Sequence, residues 1–190
     1  MNKEIEIKVI LKNKKKVLLF LNKNAKKIEK KEQKDSYFIL PDNNFFKENP
    51  VRRYLRVRSQ EKSGSLDYHF CHLDENGKLL WTDEYKTRIE DSKMMIKIFE
   101  NLGLVNYIEV NKKRLVYSYN GFQISIDEVK GLGTFIEVEF STMEKLNKTK
   151  SKLIKDKCWT ILSEIGADWI DAPNLGYPDL LIASQGNFVA

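Results

Sequence analysis

Lys3-Glu4-Ile5-Glu6-Ile7-Lys8-Val9-Ile10 alternates charged and apolar residues without a break. Side chains of a strand point to opposite faces in turn. Glu4, Glu6 and Lys8 therefore share one face, and Ile5, Ile7 and Val9 the other. Taken alone, a face of this kind reads as the wet side of an antiparallel strand. The same design recurs far along the chain. Thr134 to Phe140 places Glu137 and Glu139 on one face and Ile136, Val138 and Phe140 on the other.

Between these two ends the pattern repeats with basic residues. Val51 to Gln60 carries Arg56 and Arg58 opposite Leu55 and Val57. Leu66 to Leu73 follows the turn Lys62-Ser63-Gly64-Ser65 and sets Asp67, His69 and Cys71 on one parity. Leu79 to Arg88 sets Thr82, Glu84, Lys86 and Arg88 opposite Trp81 and Tyr85. Asn76-Gly77 and Asn120-Gly121 are hairpin signals. Leu104 to Tyr119 is a long strand in which Lys112 and Arg114 share parity with Val110 and Val116, so the pattern does not assign its faces. Phe122 to Val129 puts Gln123, Ser125 and Asp127 opposite Phe122, Ile124 and Ile126. Ile28 to Leu40 has Gln33, Asp35 and Tyr37 on one parity and ends at Pro41-Asp42-Asn43-Asn44, a turn cluster.

Helices are expected in three places. Lys14 to Lys27 has an apolar face of Val17, Leu18, Leu21, Ala25 and Ile28. Asp91 to Leu102 is capped by Asp91 or Ser92 and stopped by Gly103. A long helix from Ser141 to Ile165, capped by Gly166, is expected to bury Leu146, Leu153, Ile154, Cys158, Trp159, Ile161 and Leu162. The tail holds Pro173, Gly176 and Pro178, then Leu180-Leu181-Ile182.

One strand with a polar stripe is a surface. Six or more suggest stripes that face each other across a sheet closed on itself, which removes its edges and encloses an interior. Burying an unpaired charge costs several kcal/mol, so such an interior pairs its charges, stays wet or holds a charged ligand. The chemistry that uses both signs in one cavity is binding of a metal–polyphosphate complex. Arg and Lys grip phosphate oxygens, and carboxylates hold Mg²⁺ or Mn²⁺. Gly131-Leu132-Gly133 lacks the spacing of a P-loop. His69-x-Cys71-His72 does not form a zinc set, because His72 falls on the opposite face.

The 190 residues suit a single domain over 1–190 with a helical C-terminal segment from about residue 142. The chain is 42% hydrophobic and 32% charged, with net charge +6. The basic balance suggests an anionic partner, yet no aromatic–basic signature supports nucleic acid. No apolar run approaches the roughly 20 residues of a membrane span. Two cysteines and no signal-peptide pattern point to a cytoplasmic protein, a monomer or homodimer.

In order, these motifs resemble the CYTH superfamily, also called triphosphate tunnel metalloenzymes, and most closely its class IV adenylyl cyclase branch. The resemblance rests on Glu4-x-Glu6-x-Lys8, Gln33 to Phe38 with Pro41, Leu55-Arg56-Val57-Arg58, Lys112-Lys113-Arg114, the block Asp127 to Glu139, and Tyr177-Pro178-Asp179-Leu180-Leu181. It implies an α+β fold, an eight-stranded antiparallel β-barrel or tunnel with flanking helices. It implies a metal-dependent enzyme that converts ATP to cyclic AMP and pyrophosphate, or a triphosphatase acting on inorganic triphosphate, thiamine triphosphate or a nucleoside triphosphate, or a tunnel that only binds such ligands. By position, Glu4, Glu6, Glu137 and Glu139 would be metal-side carboxylates. Glu4, Glu6, Lys8 and Asp127 would be catalytic. Lys8, Arg56, Arg58, His69, Lys86, Arg88, Lys112 and Arg114 would hold substrate. Two strands depart from the family pattern. His69 stands where the branch carries Lys, and Thr82, Glu84 and Lys86 replace an Arg-x-Glu-x-Glu run.

Overall fold

The computed structural model describes residues 2–61, 63–171 and 175–185. Lys62 of the first hairpin turn and Pro173 of the tail lie outside them. Strands β1 (Asn2–Leu11), β2 (Lys26–Ile39), β3 (Arg53–Ser59), β4 (Gly64–Leu73), β5 (Leu79–Ile89), β6 (Val105–Tyr119), β7 (Phe122–Val129) and β8 (Gly133–Thr142) run in the spatial order 5-4-3-2-6-7-8-1. Every pairing is antiparallel. A final pairing of β1 with β5, Asn2 opposite Glu84 and Glu4 opposite Thr82, closes the ring. Among the described residues the fold is an eight-stranded antiparallel tunnel with four flanking helices, α1 (Lys14–Asn24), α2 (Ser92–Asn101), α3 (Lys148–Glu164) and α4 (Tyr177–Ser184). A short strand β9 (Trp169–Asp171), which alternation alone does not reveal, adds to the far half of β1.

Local chemistry accounts for the turns and caps. Asn120 and Gly121 both have positive φ, 50° and 80°, the requirement of a two-residue type I′ hairpin whose twist matches its strands. Asp91 caps α2 by accepting a hydrogen bond from the Met94 amide. Asn147 does the same for α3 through the Lys150 amide.

Alternation sends the apolar parity outward, where helices cover it. Ile5, Ile7 and Val9 of β1, Ile124 and Ile126 of β7, and Ile136 and Val138 of β8 pack against α1 and α3. Each such side chain contributes about 1.5–3 kcal/mol on burial. A second cluster fills one end of the ring. Tyr37, Val110, Val129 and Phe135 pack there against Tyr177 and Leu181, so α4 covers that end.

Several boundaries differ from the sequence expectation. The helical segment starts at Lys148 rather than near 142, because Ser141 and Thr142 continue β8 and pair with Glu4 and Lys3 of β1. The buried face of α3 is Ser151, Ile154, Cys158, Ile161 and Leu162. Leu153 and Trp159 fall off that face and are exposed. Helix α1 ends at Asn24, and Ile28 is an exposed residue of β2. Gly64 and Ser65 belong to β4 rather than to a turn, opposite Ser59 and Arg58. The faces of β6 are now assigned: Val110, Lys112, Arg114 and Val116 are all buried. Val110 joins the cluster under Tyr177 and Leu181, while Lys112 and Arg114 line the cavity. Among the described residues no helix is long and apolar enough to cross a membrane.

Candidate active site in the tunnel

The charged parity faces inward and lines a cavity of about 960 Å³. Its walls differ in sign. One wall, from β2, β3 and β6, presents Arg56, Arg58, Lys112 and Arg114. The other, from β1, β5 and β8, presents Glu4, Glu6, Glu84 and Glu139, with Lys8 and Glu137 where the walls meet.

Buried aspartates hold the basic wall. Arg58 donates from Nε to Asp35 Oδ1 at 2.6 Å and from Nη2 to Asp35 Oδ2 at 2.7 Å. Arg56 donates from Nε and Nη2 to Asp67 Oδ2, at 3.0 and 2.7 Å. Arg114 donates from Nε to Asp127 Oδ1 at 2.7 Å, and its Nη2 meets both Asp127 and Glu137. Lys112 Nζ sits 3.6 Å from Asp35 and 3.7 Å from Asp127. Asp35, Asp67 and Asp127 are fully buried. Burial would raise Asp35 and Asp127, but the Arg and Lys charges beside them outweigh it. Asp127 is held down at about 2 and Asp35 is pushed well below its usual range. Burial, with Arg114 nearby, lowers the Lys112 ammonium to about 8. Fork-to-carboxylate pairs of this kind fix guanidinium orientation.

On the acidic wall Glu84 accepts from Asn2 and Lys86, both at 3.3 Å, whereas Glu4, Glu6 and Glu139 have no ion-pair partner among the described residues. Glu6 lies directly across from Glu139 in the β1–β8 ladder, while Lys8 lies across from Glu137. Burial, then repulsion from Glu139, Glu84 and Glu6, pushes Glu4 up to about 10. Burial and Glu137 push Glu6 to about 7. Burial also raises Glu139, although Ser141 and Gln123 donate to it at 2.7 and 3.0 Å. Glu4, Glu6 and Glu139 repel one another, and at Glu6 the Lys8 and Arg114 charges offset this only in part. Among the described residues no three His, Cys, Asp or Glu side chains form a ready-made metal cage. Carboxylate oxygens are the donor type that hard ions such as Mg²⁺ take.

The tunnel brings together Glu4, Glu6, Lys8, Arg56, Arg58, His69, Lys86, Lys112, Arg114, Glu137 and Glu139. Two expected residues are placed otherwise. Asp127 lies behind Arg114 and Lys112, also accepts a hydrogen bond from the Tyr177 hydroxyl at 3.0 Å, and does not line the cavity. It is a positioning residue, because its carboxylate is spent on three neighbours. Arg88 is exposed and falls outside the lining, because β5 runs past the end of the ring. Lys86 is at the rim, its side chain 47% exposed and 3.3 Å from Glu84. The Cys71–His72 pair holds no metal set: His72 faces outward, 2.8 Å from Asp83 and stacked on Trp81.

Sequence reasoning left out the struts and the cap. Asp35 and Asp67 stood on the right parities, and their register opposite Arg58 and Arg56 was the missing signal. Tyr177 places its ring 4.5 Å from Lys8 Nζ and 4.9 Å from Lys112 Nζ. Lys31 also lines the cavity. Tyr177 had no strand pattern to reveal it, since it arrives from α4.

Comparison with known proteins agrees with this architecture. The CYTH domain profile matches residues 2–164. A protein of Methanocaldococcus jannaschii described as a "putative adenylate cyclase" is 34% identical over 148 residues, 77% of this chain and 82% of its own. The PH1819 protein of Pyrococcus horikoshii superposes with a TM-score of 0.78 at 25% identity, covering 95% of this chain and 98% of its own. A conserved hypothetical protein of Pyrococcus furiosus superposes at 0.74 with 26% identity, covering 93% and 99%. The chain belongs to the CYTH domain family.

Proposed function

We propose that this protein is a divalent-metal-dependent enzyme that takes a triphosphate into the tunnel and converts ATP to cyclic AMP and pyrophosphate. The observation that carries this reading is the division of one cavity into an Asp-braced basic wall and a wall on which the buried Glu4, Glu6 and Glu139 repel one another. Arg56, Arg58, Lys112, Arg114 and Lys8 would bind the phosphate oxygens, with Lys86 at the rim. Glu4, Glu6, Glu137 and Glu139 would hold Mg²⁺ or Mn²⁺, which when bound neutralises charge on the phosphates. Fixed guanidinium groups stabilise charge that develops as the bond to the leaving pyrophosphate breaks. Asp35, Asp67 and Asp127 keep those groups aimed, so little reorganisation accompanies the reaction. The M. jannaschii relative's description supports the cyclase assignment.

Triphosphate hydrolysis is the second reading, favoured by the same walls. They grip three phosphates whether the attacking oxygen comes from a ribose hydroxyl or from water. Incubation with ATP, inorganic triphosphate and thiamine triphosphate, with Mg²⁺ or Mn²⁺, separates the two. Cyclic AMP with pyrophosphate is the expected outcome. Free phosphate replaces it with the triphosphatase, and saturable binding without product overturns turnover altogether.

A further inference from the structure

Only part of β2 is paired on both sides. Lys34 to Phe38 lie between β3 and β6. Lys26 to Gln33 pair with β6 alone, because β3 ends at Ser59, opposite Lys34. Their other edge meets no backbone group among the described residues. A strand edge of this kind presents unpaired N–H and C=O groups, a template for another strand. Ile28 stands 51% exposed on it. Lys26 to Lys34 holds five lysines and two glutamates. Glu29 is paired with Lys31, Glu32 with Lys113, and Lys34 with Glu109. Lys26, Lys27 and Lys30 are exposed and form no ion pair among the described residues. Like charges directly opposite one another destabilise a ladder, and opposite charges stabilise it. A two-fold pairing with a second copy centred on Glu29, Lys30 or Lys31 sets that charge against itself, and one centred on Ile28 sets Lys26 against Lys30. Lysines on an edge therefore turn away a copy of the same strand while favouring an acidic one.

We propose that the free edge of β2 is a docking site for an extended acidic segment of another protein, which joins the sheet as a further strand beside Lys26 to Gln33. Backbone bonds to the open edge supply affinity, and the charges of Lys26, Lys27 and Lys30 select acidic side chains. The inference stands apart from the triphosphate reading of the tunnel.

The probe is a peptide of alternating glutamate and threonine, as long as the free edge, added to the full chain. Its controls are the matching lysine–threonine peptide, the glutamate peptide methylated at every backbone nitrogen, and an oligothymidylate of similar length. Fluorescence anisotropy reads Kd, and hydrogen exchange by mass spectrometry reads the β2 amides. The glutamate peptide is expected to bind saturably, about tenfold or more tighter than either control peptide. It should also slow exchange within residues 26–33 about tenfold or more, since amides that point away from β6 gain partners. The variant Lys26→Glu with Lys27→Glu and Lys30→Glu should weaken that peptide about tenfold or more and favour the lysine peptide instead. Thermal melting checks that the variant folds, and exchange in the wild type carries the test if it does not. Absence of saturable binding, equal binding of the methylated peptide, or unchanged exchange in residues 26–33 overturns the docking site. An oligothymidylate that binds as tightly as the glutamate peptide overturns it too, and assigns the lysines to nucleic acid.

Discussion

Glu6 of β1 sits directly across from Glu139 of β8 in an antiparallel ladder, both facing the same cavity. Like charges in that relation are destabilising. Burial makes the cost larger and keeps the Glu6 carboxyl protonated up to about 7. A sequence free to improve its metal-free stability would not keep this pair, so the pair reads as a site that a cation completes. Glu6→Gln is expected to raise the melting temperature of metal-free protein by about 2–4 °C for each 1 kcal/mol of repulsion relieved. The double variant Glu4→Gln with Glu6→Gln is expected to keep the fold and lose activity by about a hundredfold or more. Normal turnover by that double variant would remove the carboxylates from the site.

Metal should act on stability through the same wall. A ligand that binds only the folded state stabilises by about 2.7 kcal/mol at a hundred times its Kd. Mg²⁺ or Mn²⁺ should therefore raise the melting temperature of the wild type, and raise that of the double variant little or not at all. Equal shifts in both proteins would place the ion elsewhere.

The pH dependence of stability has a worked sign. Glu4 and Glu6 titrate higher in the folded state, about 10 and about 7, than their ordinary 4.5. The folded state then holds more protons than the unfolded one, and stability falls as pH rises above 4.5 towards those values. Asp127 and Asp35 work in the other direction. Their contribution is present above the ordinary 3.8 and is lost as pH falls towards the 2 of Asp127. Metal-free protein should melt higher at about pH 5 than at about pH 8, and saturating Mg²⁺ should flatten the difference. Chemical denaturation across that range checks it, and a curve that rises steadily to pH 8 without metal contradicts the carboxylate assignment.

Asp127 should matter for structure more than Glu139. Asp127→Asn takes the charge from beside Arg114 and Lys112 while both stay buried. Breaking a buried pair in this way costs about 3–5 kcal/mol. Glu139→Gln removes a carboxylate whose donors among the described residues are Gln123 and Ser141, so its loss should be small or favourable in the metal-free protein. Denaturant midpoints of the two variants measure the contrast, and equal losses would refute the strut role.

Tyr177 tests the cap. Tyr177→Phe keeps the ring over Lys8 and Lys112 and loses only the hydroxyl bond to Asp127, a loss of about 1 kcal/mol. Tyr177→Ala also removes the ring that packs on Phe135, at 5.1 Å between centroids, and should cost about 3–5 kcal/mol. Similar costs for both would mean that α4 does not seal the tunnel through this residue.

Alternation by itself determined which side chains share a face, because the period of a strand is two whatever surrounds it. From that came Glu4, Glu6 and Lys8 on one side of β1, Glu137 and Glu139 on one side of β8, and the reading of an enclosed charged interior. Tertiary structure decided the rest. Closure of β1 onto β5 placed Arg88 past the end of the ring. Register placed Asp35 under Arg58 and Asp67 under Arg56, turning aspartates known only by their parity into braces. The turn of α3 exposed Trp159 and buried Cys158 beside it. Return of the chain through α4 set Tyr177 against Lys8 and Lys112. A strand's faces follow from local stereochemistry, whereas pairing, burial and charge partnership follow from which distant segments the ring brings together.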